Sequence, residues 1–265
     1  MTQAYEELLA GGIAHLEAGD AEHAVAAFRS CIAADPENAE GYFSLADALA
    51  MAEESEKAVE TYLEGLKRAP DDTDALTALG DLYFELGCHK DALATYRRVV
   101  ELAPKDADGY VNVGLVLNSM ERPEEAIKAY NEALELDPAN VFAYNALGDA
   151  WYGLGDRDRA IAAFQRGIAI EPDDAAAHFN LGELYYDLEE FADAERECKE
   201  AIRIDPHFTL AYLTLGSLYM DQEHLPDAIN YLEQYLKMET SPQAAEMIAE
   251  VKAVVEGLKE EVKGK

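Results

Sequence analysis

The chain has 265 residues, 54 of them acidic and 21 lysine or arginine, for a formal net charge of −33. That balance disfavours nucleic acid, whose binding rests on neutralising phosphates with Lys and Arg, and it disfavours an anionic membrane surface. Three cysteines without short spacing argue against a disulfide framework or a thiolate metal site. No stretch approaches the roughly 18 consecutive apolar residues of a membrane span, and the N-terminus lacks a charged start followed by an apolar run, so we expect a protein soluble in the cytoplasm.

Six of the nine prolines, Pro36, Pro70, Pro104, Pro138, Pro172 and Pro206, are spaced by 34 residues. Proline has no N–H to donate and its ring clashes with the preceding turn, so each marks the end of a helix. Counting back defines seven repeats, 5–38, 39–72, 73–106, 107–140, 141–174, 175–208 and 209–242, after a short start (1–4) and before a segment 243–265. Every repeat has alanine at position 20 (Ala24, Ala58, Ala92, Ala126, Ala160, Ala194, Ala228). Position 8 is Gly12, Ala46, Gly80, Gly114, Gly148, Gly182 and Gly216. Small residues at these two places let antiparallel helices approach closely, while large residues at positions 4, 7, 11 and 24 fill the space around the contact. One such pair cannot bury its apolar face alone and must stack on copies of itself.

In chain order, the first repeat is the least regular, with Gly11 and Gly12 inside its first helix and His15 where an aromatic is usual. Each glycine costs about 1 kcal/mol relative to alanine in a helix interior, so this end should be the softest. Pro123 and Pro226 fall at the start of second helices, where a missing N–H costs little. The seventh repeat carries Leu232 and Tyr235 at positions 24 and 27 and closes at Ser241-Pro242. There serine is expected to cap one more helix and proline to occupy its first turn. Ile248, Val251, Val255, Leu258 and Val262 follow helical spacing in that segment, which we read as a capping helix, with a docking helix for a partner as the alternative.

The fifth repeat places Tyr144, Leu147, Gly148, Trp151, Gly155, Ala160, Phe164 and Pro172 at positions 4, 7, 8, 11, 15, 20, 24 and 32. That pattern resembles the tetratricopeptide repeat, and the resemblance covers residues 5 to 242. It implies an all-α fold, a right-handed superhelical α-solenoid of antiparallel helix pairs. It also implies a concave groove lined by the first helices, with positions 2, 5, 6, 9, 12 and 13 pointing into it. Of these 42 positions twelve are acidic: Glu6, Glu17, Glu40, Asp47, Asp74, Asp81, Glu85, Asp108, Asp149, Glu183, Asp187 and Asp221. The first 14 residues of each repeat hold no Lys or Arg at all, where even spreading would put about eight.

Acidic residues in the first turn of a helix complement its dipole and need no partner. Asp81 with Glu85, and Glu183 with Asp187, are different: like charges at i and i+4 destabilise a helix by a few tenths of a kcal/mol, and a cationic ligand would reverse that penalty. Aromatic residues Phe43, Phe84, Phe142, Tyr152, Phe179 and Tyr186 fall at groove positions, where they could offer cation–π contacts. Asn112, Asn145 and Asn180, with Asn118, could pair with a peptide backbone, which resembles in part the asparagine ladder of O-linked N-acetylglucosamine transferases. Co-chaperones that clamp acidic C-termini carry Lys, Arg and Asn where this chain has Glu40, Asp47, Asp74 and Asp81, and that ligand would be repelled.

The candidate partner-binding set is therefore Asp47, Asp81, Glu85, Asn112, Asn145, Asp149, Tyr152, Asn180, Glu183, Tyr186 and Asp187, with repeats four to six central. The six histidines are scattered along the sequence, Cys31 and Cys198 fall at packing positions, and no organised acid, base or oxyanion donors surround Cys88. No catalytic residue, metal or cofactor is assigned. We expect a non-enzymatic scaffold that binds a basic segment of a partner protein. The alternative is a structural module or assembly chaperone that associates through its ends or convex face.

Overall fold

The computed structural model describes residues 3–264, which are helical apart from short turns; no strand occurs among them. The first four helix pairs are α1 (Gln3–Glu17) with α2 (Ala21–Ala34), α3 (Ala39–Met51) with α4 (Ser55–Leu66), α5 (Thr73–Glu85) with α6 (His89–Leu102), and α7 (Ala107–Ser119) with α8 (Pro123–Leu136). Three further pairs are α9 (Val141–Gly153) with α10 (Arg157–Ile170), α11 (Ala175–Asp187) with α12 (Phe191–Ile204), and α13 (Thr209–Asp221) with α14 (Leu225–Met238). A 3₁₀ turn, Pro242–Ala244, leads into α15 (Ala245–Gly264). The helices form two compact units that divide between Pro138 and Ala139, and within each unit successive pairs stack. No helix of the described residues is long and apolar enough to cross a membrane.

One short motif stops each second helix and starts the next first helix. Two residues after the periodic proline comes Asn38, Asp72, Asp106, Asn140 or Asp174, and each of these side chains accepts from a backbone N–H in the first turn of the helix that follows. Such caps are worth about 1 kcal/mol each, and they account for part of the acidic excess without any partner. The seventh repeat has Phe208 in that place and no side-chain cap.

Close approach within a pair is enforced at position 8. A Cβ added to Gly148 would lie 2.5 Å from Phe164 Cε1, one added to Gly114 2.3 Å from Tyr130 Cε1, and one added to Gly216 2.4 Å from Leu232 Cδ2. The position-24 side chain therefore lies flat over a bare stretch of backbone. Between repeats, the position-4 side chain reaches back to the periodic proline: the hydroxyls of Tyr42 and Tyr212 donate to the carbonyls of Pro36 and Pro206 at 3.2 and 3.1 Å. His178 takes the same place in the sixth repeat, with Nε2 3.2 Å from the Pro172 carbonyl and Nδ1 2.7 Å from Glu197. This buried histidine substitutes for a tyrosine.

The turn inside each repeat ends its first helix with a left-handed residue. Gly19, Gly87 and Gly155 supply it in three repeats, while Glu53, Glu121, Glu189 and Glu223 hold φ of 57–60° in the other four. The hydrogen bonds are the same in both cases, Gly19 N–H to Leu16 and Asp20 N–H to His15 matching Glu53 N–H to Ala50 and Glu54 N–H to Leu49. A side chain makes the left-handed conformation cost about 1–2 kcal/mol, partly offset by glycine's freedom in the unfolded chain. Glu121→Gly and Glu189→Gly should therefore each raise stability by about 0.5–1 kcal/mol, additively because the two turns belong to different compact units and share no partner. Urea denaturation of the single and double variants checks this; a loss of stability in either would show that glutamate is favoured there.

At the C-terminus, α15 buries Val251 and Val255 against Tyr212, Leu232 and Tyr235, with Ile248 and Leu258 partly covered. The expected serine cap differs: Ser241 makes no side-chain cap bond, and Pro242 sits in the 3₁₀ turn rather than in the helix. The Ser241 N–H is instead taken by Glu239 at 2.9 Å. Val262 remains exposed, beyond the reach of the last repeat.

Candidate functional site

In the first unit, the predicted residues lie on α3, α5 and α7. The Tyr62 hydroxyl, on α4, donates to Asp47, and the Tyr96 hydroxyl, on α6, donates to Asp81 at 2.5 Å. Burial, reinforced by the neighbouring carboxylate, holds both phenols well above the usual tyrosine range. Burial likewise raises Asp47, and the Tyr62 hydrogen bond pulls it partly back. Each hydroxyl crosses from position 24 to position 9 of its own repeat. Glu85 stands exposed at the end of α5, and Asn112 is half-buried on α7.

In the second unit the hydroxyls run between repeats. Tyr152 on α9 donates to Asp187 on α11, and Tyr186 on α11 donates to Asp221 on α13 at 2.6 Å. Both links join position 12 to position 13 of the next repeat, tying three first helices along one face. Tyr152, Glu183, Tyr186 and Asp187 come together with Leu213, Thr214 and Ser217 around a cavity of about 280 Å³. Burial raises the Glu183 carboxyl, and a hydrogen bond to Thr214 partly offsets that rise.

Asn145, Asp149 and Asn180 are in this unit but do not line the cavity. Asn145 is used internally: its Nδ2 donates to Asp174 at 2.9 Å, while its Oδ1 is buried and faces the place a Gly167 side chain would occupy. Asn180 is half-buried. Two of the aromatics are internal as well, Phe179 in the core against Phe208 and Phe43 stacked on Tyr62 in the gap left by Gly65. Phe142 is 80 % exposed.

The cations stay away from these carboxylates. Lys and Arg ion pairs among the described residues involve second helices, turns and α15, as in Arg98–Asp71, Arg203–Asp173 and Lys259–Glu233. Asp47, Asp81, Glu85, Asp149, Glu183, Asp187 and Asp221 have no Lys or Arg partner among the described residues. Tyrosine hydroxyls are what Asp47, Asp81, Asp187 and Asp221 meet instead, and Glu183 meets the Thr214 hydroxyl.

Asp149 has neither. The fifth repeat carries Phe164 where Tyr62 and Tyr96 stand elsewhere, so no hydroxyl reaches the carboxyl, and desolvation alone pushes its pKa up to about 6. A raised carboxylate favours the protonated fold, so stability is greatest below the usual pKa near 4 and declines as pH rises through about 6. Asp149→Asn should leave stability unchanged at pH 4 and raise it at pH 7 by no more than about 1 kcal/mol, because Asp149 is exposed on the surface and solvent screens much of the penalty. Melting curves at both pH values test this; equal shifts at both would contradict it.

The residues missed by sequence reading are Tyr62, Tyr96, Thr214, Ser217 and Asp221 as a site member. Their signal was present. Tyrosine at position 24 accompanies aspartate at position 9 in repeats two and three, and Tyr152–Asp187 and Tyr186–Asp221 share one 35-residue offset.

Family models described as "Tetratricopeptide repeat" match residues 9–73, 52–107 and 145–207 in one case and 185–251 in another, and one described as "TPR repeat" matches 114–155. Among solved structures, a tetratricopeptide repeat protein from Parabacteroides merdae ATCC 43184 superposes with a TM-score of 0.77 at 19% identity, covering 96% of this chain and 99% of that one. A structure of MamA gives 0.55 at 27% identity over 60% of this chain and 94% of that one. A structure of YrrB, described as "a TPR protein with an unusual peptide-binding site", gives 0.54 at 26% identity over 69% and 95%. None of the curated proteins matches the sequence.

Proposed function

Because the chain belongs to the tetratricopeptide repeat family, we propose that it is a non-catalytic protein-binding scaffold whose second unit takes up a basic segment of a partner protein at the face of α9, α11 and α13. The observation that carries this reading is the cavity where Glu183 and Asp187 meet Tyr152 and Tyr186 with no Lys or Arg beside them. A lysine or arginine inserted there would pair with two carboxylates at once and lie against two phenol rings. The tyrosine hydroxyls hold the Asp187 and Asp221 carboxylates in fixed orientations before any ligand arrives, which lowers the ordering cost of binding. YrrB, the similar protein with a described peptide-binding site, is consistent with a peptide as the ligand class. The seven-repeat division, with α15 as the capping element, belongs to the same proposal.

Selection from a random peptide library tests it. Enriched peptides should carry Arg or Lys, and their affinity should fall steeply with salt, since the contact is between opposite charges at a largely open surface. Enrichment of acidic or purely apolar peptides would overturn the reading. The second reading, self-association, draws on one observation: α15 leaves Met247, Val254 and Val262 exposed. Sedimentation across a concentration series separates the two, because a peptide-binding scaffold keeps a constant mass and a self-assembling module does not.

A further inference from the structure

The histidines are not all scattered once the chain is folded. His15, at the end of α1, and His23, in the first turn of α2, bring their rings to a centroid separation of 5.2 Å, stacked at 23°. Asp20, in the turn between them, touches both: Oδ1 is 2.9 Å from His23 Nδ1 and Oδ2 is 3.4 Å from His15 Nδ1. One donor atom from each of the three residues fits within a 4.8 Å span.

From this geometry we propose that His15, Asp20 and His23 form a binding site for a divalent transition-metal ion of the zinc type. Imidazole and carboxylate are donors that suit zinc, copper and nickel rather than calcium or magnesium, which prefer all-oxygen sites. Ligands about 2.0–2.1 Å from a tetrahedral zinc lie roughly 3.4 Å from one another; His15 Nδ1 stands at that separation from Asp20 Oδ2 and His23 Nδ1 at 2.9 Å from Oδ1, so a small side-chain rotation brings the three donors onto one ion within their 4.8 Å span. The fourth position remains open to water. The side chains keep 44, 39 and 69 % of their surface for His15, Asp20 and His23 respectively, enough for an ion to enter without unfolding.

Helix capping does not account for the arrangement. Asp20 caps α2 through the His23 backbone N–H, and that needs neither imidazole. Position 11 of the other six repeats holds Leu49, Tyr83, Leu117, Trp151, Tyr185 and Tyr219, and position 19 holds Lys57, Asp91, Glu125, Arg159, Asp193 and Asp227. Histidine at both places, around an aspartate, occurs in the first repeat alone. This is also the repeat whose first helix carries Gly11 and Gly12. Gly12 is needed, since its Cβ would meet Phe28 at 2.4 Å, whereas Gly11 has open space around it and only loosens the helix. An ion held by α1, the turn and α2 would clip together the pair that is otherwise softest, because metal affinity for the folded site adds directly to folding stability.

Titration of the untagged full-length chain with zinc chloride, in excess magnesium to occupy the acidic surface, tests the proposal. One zinc should bind per chain, and His23→Ala should weaken it at least tenfold, as should His15→Ala. His224→Ala, far along the chain, should leave it unchanged. Hydrogen exchange gives a second measure: zinc should slow exchange of α1 and α2 amides in the wild type and not in His23→Ala, whose exposed ring is not needed for folding. Absence of a zinc site in the presence of magnesium, or an undiminished site in the His15→Ala/His23→Ala double variant, would overturn the assignment.

Discussion

Replacing Glu183 and Asp187 together with lysine is expected to abolish capture of the basic peptides selected on the wild-type chain, with a loss of at least thirtyfold in affinity, or about 2 kcal/mol. The two carboxylates line one cavity, so the double reversal converts attraction into repulsion at a single place, and like-charge juxtaposition across an interface is strongly unfavourable. The milder Glu183→Gln/Asp187→Asn variant keeps the shape and should lose about tenfold, with a flatter salt dependence. Glu124→Lys/Glu125→Lys, a reversal of the same size in the exposed first turn of α8, should change affinity by less than about threefold, since neither residue lines the cavity and exposed charges are screened by salt. Titration of a labelled selected peptide at two salt concentrations provides the measurement. If the α8 variant loses as much as the cavity variant, attraction is a property of the whole acidic surface, and the proposed site is wrong.

Gly148→Ala is expected to lower stability by about 2 kcal/mol for the addition of one methyl group. Its Cβ would sit 2.5–2.7 Å from three atoms of the Phe164 ring, and that ring is 2 % exposed, so it has little room to retreat. The second repeat shows what accommodation requires. There Ala46 occupies the same position, and its Tyr62 is held by a hydrogen bond to Asp47 and a stack on Phe43, which fills the space at Gly65. The fifth repeat offers Phe164 no hydroxyl, and at Gly167 the space is taken by the Asn145 amide. In a Phe164→Ala background, which removes the ring atoms that the new Cβ would meet, the penalty of Gly148→Ala should shrink by at least about 1 kcal/mol, a coupling that a double-mutant cycle reads directly. Strict additivity would mean that the ring and the glycine do not oppose each other.

Much of the fold was legible because its determinants are local and repeated. Proline at position 32 and Asn or Asp at position 34 are written in one short motif, and they act within a few residues of where they stand. The packing role of position 8 follows from glycine recurring at one spacing, and the position-4 reach to the proline carbonyl is visible in the tyrosines. Less legible was the Ser241 cap, because the choice between a 3₁₀ turn and a helical first turn depends on Glu239 taking the serine N–H.

The candidate site divides differently. That the first helices carry carboxylates and no cations is a matter of composition and register, so it could be counted without coordinates. Which of those residues act together could not. Tyr152, Glu183, Tyr186 and Asp187 share a cavity, whereas Asn145 satisfies Asp174 and Phe179 is absorbed into the core.

What the amino-acid order determined by itself was the number of periods, the places where helices start and stop, and the sorting of charge between first and second helices, since each depends on residues near in sequence. The tertiary structure decided which of the recurring tyrosine–carboxylate spacings become contacts. A hydroxyl about 15 or 35 residues away reaches one carboxylate and not its neighbour through helix packing at ångström precision, and His15 and His23 meet across Asp20 only because the turn between α1 and α2 folds them onto each other. Periodicity specifies which faces are presented; distance in space specifies which groups on those faces can act as one.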